Sequence, residues 1–215
     1  MKEIRKKSTL YYIHDPMCSW CWGFRPCWLT ICKNLRDKIN IQYVLGGLAP
    51  DTDQEMPEEK QLTIRQTWEQ IQQSIPGTEF NFNFWIECKP RRSTYPACRA
   101  IIAANNQNPF AGEKMLLAIQ TAYYIQAKNP SDNQTLIELA EQIKLDTEQF
   151  STDLISDETQ LKLNKQLELR RKLQVYNFPS LVLETERQTV LLDLDYNNPL
   201  FILNQINEII DQDNQ

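Results

Sequence analysis

The chain has 215 residues, 41% hydrophobic and 24% charged, and its 23 Lys and Arg against 28 Asp and Glu leave a net charge of −5. That length suffices for one large domain or two small ones with real cores, and the apolar fraction excludes wholesale disorder. The acidic balance, without a long Lys/Arg block, argues against a nucleic-acid binder, and no apolar run approaches the roughly 20 residues needed to cross a bilayer.

The opening segment MKEIRKKSTL is charged and runs directly into a strand-like stretch, not into an apolar signal core, so a soluble cytoplasmic protein is expected. Six cysteines are too few for a disulfide scaffold, and in a reducing compartment most should be free thiols. The single histidine, His14, weighs against a His-based metal site, and no metal is expected. Residues 9–14 (TLYYIH) are apolar on both faces, as a central buried strand requires. A helix follows in which Phe24, Trp28, Ile31 and Leu35 recur at spacings of three and four. Residues 39–45 (INIQYVL) then alternate, with Ile39, Ile41, Tyr43 and Leu45 on one face, and close at Gly46-Gly47. Strand, helix and strand in this order build a parallel pair with a right-handed crossover.

Beyond this the pattern is helical. Stripes run through Ile64, Trp68, Ile71 and Ile75, through residues 95–106 with Ser93 or Thr94 as cap, and through Met115, Ile119 and Ala122. Others follow through Leu136, Leu139 and Ile143, through Phe150 and Leu154, and through Leu163, Leu167 and Leu173. Leu181-Val182-Leu183, a polar turn at 185–188 and Val190 to Leu192 read as a hairpin, and Pro199 starts a last helix carrying Leu203, Ile206 and Ile210. A helical block over residues 53–174 is too long for an ordinary connection. The fold class expected is therefore α/β, with one discontinuous domain (1–52 and 175–215) interrupted by an all-helical domain (53–174).

Cys18-Ser19-Trp20-Cys21 stands directly after the first strand and at the start of the first helix. A thiol there faces unpaired N–H groups and the positive end of the helix dipole, which stabilise its thiolate. A second cysteine one turn on can close a disulfide with it, which is the arrangement of a thiol–disulfide exchange site. Such a CxxC also begins many zinc sites. Cys27 and Cys32 share the helix with Trp28 and Ile31 and are expected in the core. Cys88 and Cys98, ten residues apart, are a weaker candidate for a second redox pair or half a zinc site. His14 is expected in a hydrogen-bonded structural role, Trp20 at the surface facing a partner, and the basic pairs at 91–92 and 170–171 on solvated faces.

The stretch Asp15-Pro16-Met17-Cys18-Ser19-Trp20-Cys21-Trp22-Gly23-Phe24 resembles the active-site segment of the thioredoxin-fold oxidoreductases of the DsbA type, within them the FrnE-like branch of disulfide isomerases. Pro26 matches the proline that kinks their active-site helix, and Phe178-Pro179 their cis-proline motif. Ser93-Thr94-Tyr95-Pro96-Ala97-Cys98-Arg99 resembles the opening of an insert helix that faces the active site. The resemblance implies a thioredoxin-like fold with a large inserted helical domain. It also implies Cys18 as attacking and Cys21 as resolving thiol, with Ser19, Trp20, Phe178 and Pro179 lining the substrate groove. It calls for no cofactor, because the electrons reside in the cysteine pair. The partners implied are protein or peptide thiols and disulfides, with glutathione a candidate small thiol, and neither nucleic acid nor membrane.

Two departures matter. DsbA has a histidine between its cysteines where this chain has Ser19 and Trp20, so a less stabilised thiolate and a weaker oxidant are expected. Where thioredoxins often bury an acid, six residues before Cys18, this chain has Tyr12, which leaves Asp15 or His14 to assist proton transfer to Cys21. Kappa-type glutathione transferases and 2-hydroxychromene-2-carboxylate isomerases share the scaffold but usually carry a serine where Cys18 stands. A zinc module built on Cys18 and Cys21 would need a second ligand pair.

Overall fold

The computed structural model describes residues 8–36 and 38–213, so most of the charged opening segment lies outside the described residues. Four strands form one sheet in the order β2-β1-β3-β4: β1 (Thr9–His14), β2 (Asn40–Leu45), β3 (Ser180–Glu184) and β4 (Thr189–Leu191). β1 runs parallel to β2, from Thr9 opposite Asn40 to His14 opposite Leu45, and antiparallel to β3. Its central place explains why it is apolar on both faces. β2 lies at the edge, with Asn40 and Gln42 exposed, until Val44 and Leu45 become buried beneath the helical block.

Helix α1 (Ser19–Leu35) crosses between β1 and β2 and lays Phe24, Trp28, Ile31 and Leu35 against Leu10, Tyr12, Leu181 and Leu183. The last helix, α9 (Pro199–Asp213), adds Ile202 and Ile206 to this core. Each such side chain contributes about 1.5–3 kcal/mol on leaving water.

Seven helices separate β2 from β3: α2 (Glu58–Ser74), α3 (Phe84–Glu87), α4 (Tyr95–Gln107), α5 (Ala111–Tyr124), α6 (Asn133–Gln142), α7 (Thr147–Leu154) and α8 (Asp157–Lys172). Asp146 and Ser156 begin α7 and α8 by accepting hydrogen bonds from the N–H groups of Gln149 and Thr159. Their apolar stripes meet in a core of their own around Trp68, which stacks on Phe80 at 4.9 Å and meets Tyr123 edge-on at 5.5 Å. The architecture is thus a thioredoxin-like sheet carrying a large helical insertion. Hydrogen bonds tie the helices to the sheet, among them Trp68 Nε1 to Ser19 Oγ at 2.8 Å, the Leu45 N–H to Gln166 Oε1 at 2.7 Å, and Arg170 to the Gly46 carbonyl at 3.1 Å.

His14, at the end of β1, is buried but not hydrogen-bonded as expected. Its Nδ1 has no partner among the described residues, and the ring is held by stacking on Tyr12 at 4.9 Å and by edge contact with Tyr43 at 5.7 Å. Burial lowers its pKa from 6.5 to about 3, so the folded protein holds it neutral. The unfolded chain binds the proton first, so this site favours folding least at low pH, and stability is lost as pH falls from about 6.5 towards 3. Replacing His14 by Phe keeps the stacking and removes the titration. The unfolding free energy of the His14→Phe variant, from urea titration, should therefore fall by about 3 kcal/mol less between pH 7 and pH 4 than that of the parent.

Candidate active site

The turn between β1 and α1 is organised by Asp15, which is fully buried. Its Oδ1 accepts the Met17 N–H at 2.8 Å. Its Oδ2 accepts the Leu48 N–H and the Thr94 hydroxyl, each at 2.7 Å, and the Cys98 thiol at 3.7 Å. Burial raises its pKa, while the bonds from Leu48, Thr94, Met17 and Cys98 hold it down. Thr94 does precede α4 as its N-cap residue. Its side chain caps nothing, because the hydroxyl is aimed at Asp15 while also accepting the Ala49 N–H at 3.1 Å. The Asp15 carbonyl in turn accepts the Cys18 N–H at 3.1 Å, which sets Cys18 as the N-cap of α1.

The Cys18 thiol does not point at the helix N–H groups. It donates to the Phe178 carbonyl at 3.3 Å, and the Phe178–Pro179 peptide that follows is cis. The tip of the Phe178 ring packs on Gly46, where any Cβ would overlap it, and Arg170 sits 5.8 Å from the ring centroid. Gly47, at φ +61°, turns the chain away beneath Tyr95 and Leu167, a conformation that suits glycine. Cys18, Cys21, Phe178 and Pro179 are thereby brought together, 160 residues apart in sequence at the Cys18–Phe178 bond.

Cys21 is buried one turn inside α1, and burial, then the neighbouring Cys18, push its thiol well above the usual range. Tyr12, in place of an acid, packs beside both cysteines and is itself pushed up by burial. Ser19 is buried with its hydroxyl held by Trp68. Trp20 is half-buried, not exposed as expected, because Tyr196 meets its ring edge-on at 5.3 Å. Cys27 is buried and donates to the Asp195 carbonyl at 3.4 Å, whereas Cys32 is only partly buried; burial raises them to about 11 and about 12. Cys88 donates to the Ala127 carbonyl at 3.0 Å and Cys98 to Asp15, so these two have different partners. Among the described residues, no three His, Cys, Asp or Glu side chains gather as a metal site would require.

A cleft of about 380 Å³ opens over Cys18. Met17, Trp20 and Phe178 line it on the thioredoxin-like side, and Lys60, Arg91 and Arg92 on the helical side. The basic pairs are therefore not merely solvated. Arg91 donates to the Ser131 carbonyl and to Asp132, both at 2.6 Å, while Arg170 bonds the Gly46 carbonyl and lies over the Phe178 ring. Sequence reasoning missed Lys60, Arg91, Arg92 and Tyr176 because no spacing marks residues from separate helices and loops as neighbours. Asp15 was legible only through the resemblance, and Thr94 in its own right only as a candidate helix cap.

Comparison with known proteins places this geometry. The thioredoxin family model matches residues 11–194. The ClpXP adapter protein SpxH of Bacillus subtilis is 28% identical over 179 residues, 82% of this chain and 58% of its own length, so the chain spans little more than half of that relative. Among solved structures, a "putative protein disulfide isomerase" from Nitrosomonas europaea superposes with a TM-score of 0.79 at 25% identity, covering 96% of this chain and 99% of that one. The cytosolic disulfide reductase DsbM from Pseudomonas aeruginosa shares the fold at a TM-score of 0.73 and 21% identity, over 93% and 98% of the two chains. With its β1–CxxC–α1 turn, its Phe178–Pro179 loop and its helical insertion all inside that reach, the chain belongs to the thioredoxin family and carries the fold of the DsbA-type thiol–disulfide oxidoreductases.

Proposed function

We propose that the protein exchanges disulfides with thiol substrates, Cys18 attacking and Cys21 resolving. The observation that carries this is the placement of the two thiols. Cys18 forms the floor of the cleft, against the Phe178 carbonyl, while Cys21 lies behind it with no share in the cleft lining. The Cys18 thiolate attacks a substrate disulfide, one substrate sulfur leaves and takes a proton, and a mixed disulfide forms. Cys21 then loses its proton and attacks Cys18, which releases the second substrate thiol and leaves Cys18–Cys21 oxidised. Two electrons pass from the pair to the substrate, and an external thiol restores them; the reverse sequence oxidises a dithiol. Phe178, Pro179, Ser19 and Trp20 shape the groove in this reading, as the sequence implied.

The cationic rim supports a small acidic thiol or disulfide, glutathione being of that chemistry, alongside extended peptides. Lys60, Arg91 and Arg92 complement carboxylates, and one solved neighbour, DsbM, is described with GSH. A cysteine at Cys18 speaks against the transferase and isomerase alternatives, and the lack of a third ligand beside the pair among the described residues weighs against zinc. The adapter role in the name of the curated relatives belongs to proteins of which this chain spans 58%, and no feature of the cleft calls for it. A cytoplasmic setting, where the pair rests as dithiol, fits this reading.

Burial raises the other five thiols, Cys21, Cys27, Cys32, Cys88 and Cys98. Iodoacetamide at pH 7 should therefore label Cys18 first in the reduced native protein, with Cys27 and Cys32 reacting only on unfolding; mass spectrometry showing Cys88 or Cys98 labelled ahead of Cys18 would refute the assignment. A Cys21→Ser variant should retain substrates as mixed disulfides on Cys18 that reducing agent releases. Arg92→Glu should raise KM for glutathione disulfide about tenfold, with kcat and turnover of an uncharged disulfide little changed.

A further inference from the structure

Resolution requires Cys21 to lose a proton from a position closed to the cleft. The two candidates named by the sequence do not serve. Both oxygens of Asp15 are already occupied, Oδ1 by the Met17 N–H and Oδ2 by Leu48, Thr94 and Cys98. His14 does not line the cavity beside Cys21; it lines an adjoining one that shares Tyr43, Glu113 and Leu116 with it, and burial keeps it neutral.

On the side of α1 away from the cleft, Cys21 borders a separate small cavity of about 60 Å³. Its wall opposite Cys21 is α5, which presents Glu113, Leu116 and Gln120 at helical spacings of three and four, so they form one stripe. Gln120 is 98% buried, and its Oε1 has no protein partner among the described residues. An orphaned buried amide oxygen costs about 1–3 kcal/mol unless water satisfies it. The volume holds about two molecules at roughly 30 Å³ each. At the outer end, Glu113 and Leu29 are exposed and Arg25 is half-buried, so the cavity reaches the surface.

We infer that this cavity holds water and is the route by which the resolving thiol gives up its proton, with Gln120 as the positioning residue and Glu113 at the exit. The inference rests on the disulfide-exchange reading. The proton passes from Cys21 Sγ to water bound at Gln120 Oε1 and out past Glu113 to solvent. The Cys21 electron pair then forms the Cys18–Cys21 bond, and the bond from Cys18 to the substrate sulfur breaks. That sulfur leaves as a thiolate, which takes a proton from the cleft. The titratable and charged groups around Cys21 are Cys18 and Arg25 on α1, Asp15 in the turn, Tyr12 on β1, Tyr43 on β2, Glu113 and Tyr124 on α5, and Tyr196 ahead of α9. The tyrosines among them are pushed up by burial and stay protonated at neutral pH.

The test is single-turnover kinetics with glutathione disulfide, read as release of the first and then the second thiol between pH 6 and pH 9. Gln120→Leu, close in size, should leave the first release unchanged, slow the second at least about tenfold at pH 7, and shift its pH profile upward. Glu113→Gln, on the exposed turn of α5, should slow the second release in the same direction. If both variants keep the parent's second-step rate and pH profile, the inference is wrong. Equal slowing of both steps would also overturn it, as a packing defect. If the parent forms no mixed disulfide at all, the disulfide-exchange reading itself falls and takes this inference with it.

Discussion

A buried carboxylate is costly in a low-dielectric interior unless it is hydrogen-bonded, and Asp15 meets that condition by recruiting four donors from three segments. Met17 comes from its own turn, Leu48 from the loop after β2, and Thr94 and Cys98 from the start of α4. The requirement to satisfy this one group fixes the β1–α1 turn against the helical insertion. With it come the place of Cys18 at the head of α1 and the wall of the cleft. Thr94 shows the consequence locally: a residue well suited to cap α4 gives its hydroxyl to Asp15 instead.

Around that anchor the two cysteines face different surroundings although they are one helical turn apart. Cys18 faces the Phe178 carbonyl and a cleft with a cationic rim. Cys21 faces the interior and the aromatic rings of Tyr12 and Tyr196. An attacking thiol needs access, and a resolving thiol needs protection until the mixed disulfide has formed. The helix separates these needs by direction, since residues three apart lie on neighbouring but distinct lines of its surface. The insertion then determines what each thiol sees, α2 and the loop bearing Arg91 and Arg92 on one side and α5 on the other.

The loop at Phe178 depends on close approach. Gly46 admits the tip of the aromatic ring where any side chain would collide, and Arg170 from α8 lies over the ring while bonding the Gly46 carbonyl. The helical block thus does more than shield the sheet. Its last helix holds the segment that presents a carbonyl to Cys18.

Much of this was legible in the amino-acid order alone, because local periodicity is written in it. The central strand is apolar on both sides, the edge strand alternates, and Phe24, Trp28, Ile31 and Leu35 mark the buried face of α1; each pattern follows from the geometry of a strand or helix and needs no partner to be read. The CxxC at the head of a helix and Phe178-Pro179 ahead of a strand were readable for the same reason. What only the tertiary structure decided is which distant side chains meet. Trp20 is half-buried because Tyr196, in the loop before α9, lies against it. The His14 ring is held by contact with Tyr12 and Tyr43, and its Nδ1 has no hydrogen-bond partner among the described residues. Arg91 and Arg92 belong to the cleft because the insertion folds back over Cys18, and Gln120 lies behind Cys21 because α5 packs there. Such pairings depend on contacts separated by tens to more than a hundred residues, on which short-range spacing has no bearing, so they exist only once the helices and the sheet have packed around Asp15.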